Sequence, residues 1–246
     1  GANLIYQYFQ NFHLTPDVVG DYKRVLRPHE SPRVDIAVLY PTTQMLLDMS
    51  TFPNWQMQVC AFGREYFDYD VADENMIGWG SLDDYRVLLH TSGSIWRAAT
   101  LTAVDGWLRR GGALIVRGTG AGDSLAWEDW DGNAAVAAAW TADEDTAAAQ
   151  SGIRVFRVGQ GRLYILTAAT WQSFIPLVNQ ALAAVAQAQP AGAPLDGYEG
   201  KNNLQYITDF PSGRLIYHTQ TLQTEFIPRT AVSIDWDQFA GGASRK

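Results

Sequence analysis

The sequence contains a single cysteine, Cys60, among its 246 residues. One thiol cannot form an internal disulfide, and there is no second cysteine with which it could begin a zinc cluster. The four histidines, His13, His29, His90 and His218, are scattered without the spacing of metal ligands. The sequence therefore predicts neither a metal centre nor a cofactor, and we expect Cys60 to be a packing residue inside a helix.

Long apolar runs and an excess of positive charge are lacking as well. No run approaches the roughly 20 apolar residues that span a bilayer, and the first residues lack the pattern of a signal peptide. Lys and Arg number 18 against 26 Asp and Glu, which gives a net charge of -8. That charge disfavours nucleic acid and anionic membranes as partners. We expect a soluble protein. The sequence does not identify its cellular compartment, and the cytoplasm is slightly favoured.

Short apolar runs alternate with amphipathic stretches from Arg33 onward, in a composition that is 47% hydrophobic and typical of a globular protein. We predict strands at 34–40, 70–73, 86–90 and 113–117, and helices at 54–66 and 100–110. Strands that alternate with helices at this spacing indicate a parallel sheet covered on both faces. The predicted fold class is α/β, with a flavodoxin-like, doubly wound and mostly parallel sheet.

The rest of the chain predicts three further pieces. A hairpin at 153–158 and 162–166 precedes a last helix from Ser173, and three antiparallel strands near 204–208, 214–219 and 224–227 form a small β domain. The Pro- and Ala-rich stretch 187–194 is the clearest linker. We therefore divide the chain into 1–32, a strap or the tail of a preceding domain with a helix at 15–27; 33–190, the α/β domain; and 191–246, the small β domain.

The carboxyl ends of the parallel strands are where an open α/β sheet binds its ligands. Ser94, after the third strand, is the only plausible nucleophile there, and His90 is the nearest base, but no acid is placed to orient that histidine. A structural turn is therefore the favoured interpretation. The glycine-rich loop 118–122 lacks the full spacing of a phosphate-binding motif, so a flexible connection is favoured over an anion site.

Acidic and aromatic residues also cluster at the carboxyl ends of the predicted strands. Asp123, Glu128, Asp129 and Asp131 form the densest acidic group, for which a solvated loop is the favoured interpretation. Among nine tryptophans, three fall in loops at this edge: Trp96, Trp127 and Trp130. Their rings could stack on sugars or anchor a protein interface, and a hydrophobic cluster beneath a long loop is an equally good alternative.

Three segments, 67–77, 80–89 and 107–116, resemble the glutamine-amidotransferase-like (class I) domain of bacterial glycoside hydrolases. The best-known member of that group is the trimerisation domain of family 42 β-galactosidases, and the resemblance covers roughly 33–188. The stretch 210–217 resembles the small β-module that ends such enzymes. The opening stretch 6–16 is similar to the segment that leaves their catalytic barrel.

The resemblance implies a domain without the amidotransferase machinery. The positions of the family's cysteine elbow and His-x-Glu pair hold 91–94 and 167–171, which supply neither group. We expect a non-catalytic accessory or oligomerisation module of a bacterial glycoside hydrolase. Its implied partners are further copies of the chain or a glycoside-hydrolase catalytic domain.

The alternative hypothesis is a sugar-binding domain or a small hydrolase that uses the loops after the third and fourth strands. Its ligand would be a carbohydrate or another small molecule. The residues that would line its cleft are His90, Ser94, Trp96, Asp123, Trp127 and Trp130.

Overall fold

The computed structural model describes residues 30–48, 53–118, 127–188, 195–199, 205–218, 220–221 and 223–229. Val34–Ile207 form one compact unit, and the described residues outside that range belong to a second. The division at residues 32 and 190 that the sequence suggests stays a prediction. The helix expected at 15–27 lies outside the described residues.

The described residues of the larger unit contain eight complete strands. In chain order they are β1 (Ile36–Tyr40), β2 (Asp70–Asp73), β3 (Val87–His90), β4 (Ile95–Trp96), β5 (Ala113–Arg117), β6 (Glu128–Asp129), β7 (Ile153–Val158) and β8 (Gly161–Leu166). Six of them form one sheet in the order β2-β1-β3-β5-β8-β7, while β4 and β6 form a separate parallel pair. Only β7 runs antiparallel in the large sheet, where it pairs with β8. This arrangement confirms the predicted mostly parallel, flavodoxin-like sheet.

Helices cover both faces of that sheet. They are α1 (Thr42–Leu47), α2 (Pro53–Gly63), α3 (Glu74–Gly78), α4 (Ala98–Arg109), α5 (Ala135–Ala139) and α6 (Trp171–Gln187), with a 3₁₀ turn at Ser81–Asp84. Of these helices, none combines the length and apolarity that a bilayer crossing requires.

Alternation along the strands separates two buried cores. In β1, Ile36 and Val38 pack on the face covered by α2 and α6, whereas Ala37 and Leu39 pack on the face covered by α3, α4 and α5. All four side chains are fully buried. Because side chains alternate between the faces of a strand, an apolar run without alternation is what a sheet buried on both sides requires.

Three predicted helix boundaries were wrong by two or three residues, one of them the start of the helix expected at 100–110, which begins at Ala98. The helix expected at 54–66 ends at Gly63, where the chain leaves the helix through turn hydrogen bonds such as that from the Tyr66 amide to the Gly63 carbonyl. The last helix begins at Trp171 instead of Ser173, because Thr170 and Ser173 form a capping box. Pro176 therefore lies in the second turn of α6.

The hairpin that joins β7 to β8 depends on a close backbone approach. A Cβ added to Gly161 would lie 2.2 Å from the Leu108 carbonyl oxygen and 2.3 Å from that of Gly112. The Arg162 amide donates to the Gly112 carbonyl at 3.1 Å. Glycine is therefore required for β8 to reach the end of α4.

A second, three-stranded sheet has the order β11-β10-β9 and comprises β9 (Gln205–Phe210), β10 (Gly213–His218) and β11 (Gln223–Pro228). This sheet confirms the predicted small antiparallel element. Asp209 is fully buried and accepts two hydrogen bonds from Arg214 and one from Arg229, at 2.8 to 2.9 Å. The paired guanidinium groups compensate the buried carboxylate.

Candidate functional site

The strand order reverses between β1 and β3, so the carboxyl ends of these two strands form the topological switch point of the sheet. The chain continues from β1 into α1 and from β3 into the segment 91–94. Ligands of open α/β sheets bind in this crevice, often at helix N-termini. The side chains that lie in this crevice therefore determine whether a ligand can bind there.

The buried carboxylate of Glu74 lies at the switch point and is only 3% exposed. The Thr43 amide donates to Oε1 at 2.6 Å, and the Thr43 hydroxyl donates to Oε2 at 3.0 Å. The Arg97 amide and the Thr100 hydroxyl donate to Oε2 at 3.0 and 3.2 Å. Thr43 lies in the first turn of α1, and Arg97 and Thr100 lie at the start of α4. An internal carboxylate thus occupies the place where two helix N-termini could hold an anion.

The side chain of Gln44 binds the backbone of the segment that follows β3. Its side-chain oxygen accepts hydrogen bonds from the amides of Ser94 and Ile95 at 3.0 and 3.2 Å. Gly93 has a φ of 96°, and a Cβ there would lie 2.9 Å from the Gln44 Cγ atom. The glycine is needed both for the left-handed backbone and for the close approach of the glutamine.

His90 is buried at the end of β3 and is 2% exposed. Its Nε2 atom lies 2.9 Å from the Gly93 carbonyl oxygen. Because a carbonyl can only accept, Nε2 carries the proton and Nδ1 keeps its lone pair. No hydrogen-bond partner for Nδ1 is found among the described residues. Burial is the main cause that lowers the pKa of His90 to about 4; the hydrogen bond to the Gly93 carbonyl opposes this shift and the charge of Arg117 adds to it, so the imidazole is neutral near pH 7.

The described residues do not place Ser94 in a nucleophile–base pair. The imidazole of His90 donates to the Gly93 carbonyl, and the hydrogen bonds of Ser94 run through its backbone amide, to Gln44, and its carbonyl, which accepts from the Glu128 amide. A serine nucleophile needs a base that bonds its hydroxyl and a third group that orients the base. The geometry at this position is that of a hydrogen-bonded turn.

Two of the three tryptophans at this edge are buried. Trp96 and Trp127 are 2% and 1% exposed, and their ring centroids lie 4.7 Å apart. Each ring centroid lies 4.8 Å from that of His90. Trp140 extends the cluster through an edge contact with Trp127 at 6.0 Å. The hydrophobic-cluster alternative thus describes Trp96 and Trp127. Trp96 lies in strand β4 and not in a loop, whereas Trp127 directly precedes β6.

Trp130 differs from its neighbours, because its side chain is 61% exposed in the turn after β6. Asp123 and most of the glycine-rich loop lie outside the described residues. The structure therefore brings His90, Trp96 and Trp127 together, places Ser94 in the adjoining turn and leaves Trp130 on the surface. The assignment of these residues to a ligand site stays a prediction.

The acidic group near β6 is not uniformly solvated, which corrects the expectation for Asp129. This residue is buried, and its Oδ1 atom accepts from the amides of Asp131 and Asn133 at 3.0 and 2.9 Å. It holds a tight turn together. The described part of the chain contains no group of three or more His, Cys, Asp or Glu side chains that could hold a metal ion.

Glu74, Thr43 and Gln44 were not identified from the sequence. The only local signal near them is Asp73, whose side chain accepts from the Met76 amide and caps α3. That cap places Glu74 in the first turn of a helix. It does not reveal that the carboxylate turns inward to a helix that begins more than twenty residues later in the chain.

The fold is similar to parts of solved glycoside hydrolases. A catalytic mutant of Gan42B, a GH42 β-galactosidase from G. stearothermophilus, matches 85% of this chain with a TM-score of 0.51 and 10% sequence identity. A β-galactosidase from Bacillus circulans sp. alkalophilus matches 89% with a TM-score of 0.51 and 10% identity. The chain spans 37% and 43% of the length of these two proteins.

Sequence comparison adds no relative to these structural neighbours. No protein-family model matches the chain, and no curated protein is similar enough in sequence to count as a match. At 10% identity the structural likeness establishes the fold, which is one that occurs within GH42 β-galactosidases.

Proposed function

We propose that the chain is a non-catalytic accessory module of a carbohydrate-active enzyme of the glycoside-hydrolase type, and that it acts through assembly contacts. In this proposal it corresponds to the glutamine-amidotransferase-like trimerisation domain of family 42 β-galactosidases. Its partners are further copies of the chain or a glycoside-hydrolase catalytic domain.

The observation that carries the proposal is the closed switch point. The donors that could hold a ligand there bind Glu74 and Gln44 instead. The neutral His90 imidazole donates to a backbone carbonyl and does not pair with Ser94. Because its own side chains fill the crevice, we infer that the domain acts through contacts on its surface and not through a ligand bound at the switch point.

The fold similarity supports the glycoside-hydrolase part of the proposal. Both neighbours described above are β-galactosidases, and the chain matches less than half of each. A (β/α)₈ barrel alone takes about 250 residues, whereas this chain has 246 in all. The sugar-cleaving carboxylates would therefore be supplied by another part of the enzyme.

Activity assays on the isolated chain test the catalytic half of the proposal. We expect no hydrolysis of aryl β-galactosides, aryl β-mannosides or simple aryl esters above the buffer rate. Ser94→Ala and His90→Gln serve as paired variants. Turnover that either substitution abolishes, in a protein with unchanged circular dichroism, would show that the chain has an active site of its own.

Light scattering on a size-exclusion column tests the assembly half. We expect the apparent mass to exceed the 27.2 kDa of one chain and to rise with loading concentration. A constant monomer mass at the highest soluble concentration would contradict assembly between copies.

Sugar binding is the second candidate, and the exposed ring of Trp130 is the observation that favours it. Flat aromatic faces on a surface stack against sugar rings. Titration with oligosaccharides should then quench tryptophan fluorescence in a saturable way, and Trp130→Ala should remove the effect. Trp79→Ala is the matched control, because Trp79 is also exposed and lies near α3.

A further inference from the structure

A cavity of about 550 Å³ lies at the amino ends of β5 and β8, the edge of the large sheet opposite the switch point. It is lined by Gly111 and Gly112, which precede β5, and by Gly161, which begins β8. A Cβ at Gly111 would meet no atom within 4 Å, so the space beside this residue is open. The volume falls within the roughly 300–1,000 Å³ of ordinary ligand pockets. The cavity is therefore large enough for a small organic molecule.

Arg162 lines this cavity without an acidic partner. It shares a face of β8 with Tyr164, two residues later, and its guanidinium donates to the Tyr164 hydroxyl oxygen. Among the described residues no carboxylate forms an ion pair with it. Its partner across the hairpin is Arg157, whose own charge is compensated by Asp143 and Asp145 at 3.4 and 2.8 Å. Like charges that face each other destabilise a strand pair, so the stability of the fold does not account for a cation at Arg162.

The other polar groups of the cavity are hydrogen-bond donors as well. Arg110 also lines it, and the ion pair of Arg110 with Asp83 at 2.6 Å is exposed and of the weak surface kind. Gln160 adds a side-chain amide. Burial raises the pKa of Tyr164, so its hydroxyl keeps a proton that it can donate. The described lining thus holds two arginines and no acidic residue, in a chain whose net charge is -8.

Two helix ends near the cavity carry the opposite sign. The carboxyl ends of α4 and α6 both reach it, and their partial negative charge disfavours an anion. The last carbonyls of α4 are partly engaged, because Leu108 accepts from the Gly111 amide at 2.9 Å and Arg109 accepts from the Gln160 amide at 3.1 Å. A full positive charge that bonds an anion directly outweighs these partial charges. The cavity therefore favours a negatively charged group next to Arg162.

We propose that this cavity binds a small organic anion, with the oxygens of its carboxylate or phosphate group on the guanidinium of Arg162. The planar fork of an arginine matches the geometry of both groups. Ala113, Val185 and Ala188 line the cavity with apolar side chains, so the ligand carries a compact apolar body. A bare ion as small as acetate or phosphate fills little of the cavity and binds far more weakly.

Isothermal titration calorimetry with phenyl phosphate and benzoate tests the proposal. We expect one equivalent of at least one of these anions to bind, and neutral phenol, acetate and inorganic phosphate to bind at least tenfold more weakly. Binding by phenyl phosphate alone would identify the head group as a phosphate, and binding by benzoate alone would identify it as a carboxylate. The affinity should fall as sodium chloride is added, because salt screens the attraction between the anion and Arg162.

Substitutions locate the site. Arg162→Gln keeps a donor for Tyr164 but removes the charge, and it should weaken binding at least tenfold. Arg162→Lys keeps the charge without the planar fork and should bind with an affinity between those of the parent and of Arg162→Gln. Arg154→Gln is the matched control, because Arg154 lies towards the other end of the same hairpin, opposite Ile165, and should leave binding unchanged.

A further variant blocks the cavity with Arg162 in place. Ala188 is exposed and lines the cavity, so Ala188→Trp should fill part of the space and weaken binding as Arg162→Gln does. Circular dichroism and urea midpoints of all these variants should equal those of the parent, which shows that lost binding does not reflect lost folding.

Three results would overturn the proposal. The first is that neither anion binds at millimolar concentration, and the second is binding that Arg162→Gln leaves intact. The third is phenol binding as tightly as phenyl phosphate, which would show a cavity that takes apolar molecules regardless of charge. None of these results bears on the accessory role proposed above, which the activity and light-scattering experiments test separately.

Discussion

Replacing Glu74 with alanine removes the acceptor that the N-termini of α1 and α4 share. Two backbone amides, those of Thr43 and Arg97, then lose their partner, as do the hydroxyls of Thr43 and Thr100. Each orphaned buried amide costs about 1–3 kcal/mol, whereas hydroxyls can rotate towards other acceptors. Relief of the buried charge offsets part of this loss. We therefore expect the free energy of unfolding to fall by about 3–5 kcal/mol.

Urea denaturation measures this loss as a lower midpoint at an unchanged slope. Glu144→Ala is the control: Glu144 makes a two-contact ion pair with Arg154 at 2.8 and 2.9 Å, but at the surface. Its removal should lower the midpoint far less than Glu74→Ala does, because solvent-exposed ion pairs contribute little to stability. Glu74→Gln keeps one acceptor oxygen but turns an amide donor towards other donors, so its midpoint should lie between those of the parent and of Glu74→Ala.

Small carboxylates should rescue the alanine variant. Formate or acetate can enter the vacated space and accept from the same donors, so either ion should raise the urea midpoint of Glu74→Ala and leave that of the parent unchanged. Chloride at equal ionic strength controls for screening. A loss no larger than that of Glu144→Ala would refute the reasoning that this buried network is a major source of stability.

Two other predictions concern single residues. Burial lowers the pKa of His90 from 6.5 to about 4. Between these two pH values the unfolded chain binds a proton that the folded chain does not. The free energy of unfolding should therefore fall by about 3 kcal/mol as the pH drops through this window. The urea midpoint should drop less for His90→Gln than for the parent between a pH above this window and a pH below it. An equal drop in both proteins would show that His90 does not cause the pH dependence. Gly106→Ala should raise the free energy of unfolding by about 0.5–1 kcal/mol, because the nearest atom to the new Cβ is the flexible end of Arg110 at 3.4 Å. Thermal unfolding should show a higher midpoint for this variant and a lower one for Gly161→Ala.

The central strands of the large sheet could be predicted because they are buried on both faces. The run 113–117 is apolar up to its last residue, and β5 has the predicted bounds. The short β2 and the hairpin strand β7 also have the predicted bounds. In each case the residue pattern of the strand and the turn residues that flank it act within a few positions of the chain.

The contents of the switch point could not be predicted in the same way. The hydrogen bonds of Glu74 join residues 31, 23 and 26 positions apart. A glutamate in a short amphipathic stretch is usually solvated. Glu74 becomes an internal acceptor only because the first turns of α1 and α4 both direct donors at its carboxylate. Trp96 shows the same limit, since the two-residue pairing of β4 with β6 buries a ring that local sequence places in a loop.

The two outer strands of the large sheet restrict how copies of this chain could join. The outer side of β7 is already engaged, because the Arg157 amide donates to the Asp143 carbonyl and the Asp145 amide donates to that of Val155. At the opposite margin β2 has only four residues and bears an aspartate at each end. A short, acidic or covered margin resists edge-to-edge growth of a sheet into fibrils. If copies of the chain do associate as proposed, contacts through these two margins are disfavoured, and side-chain surfaces elsewhere would form the interface.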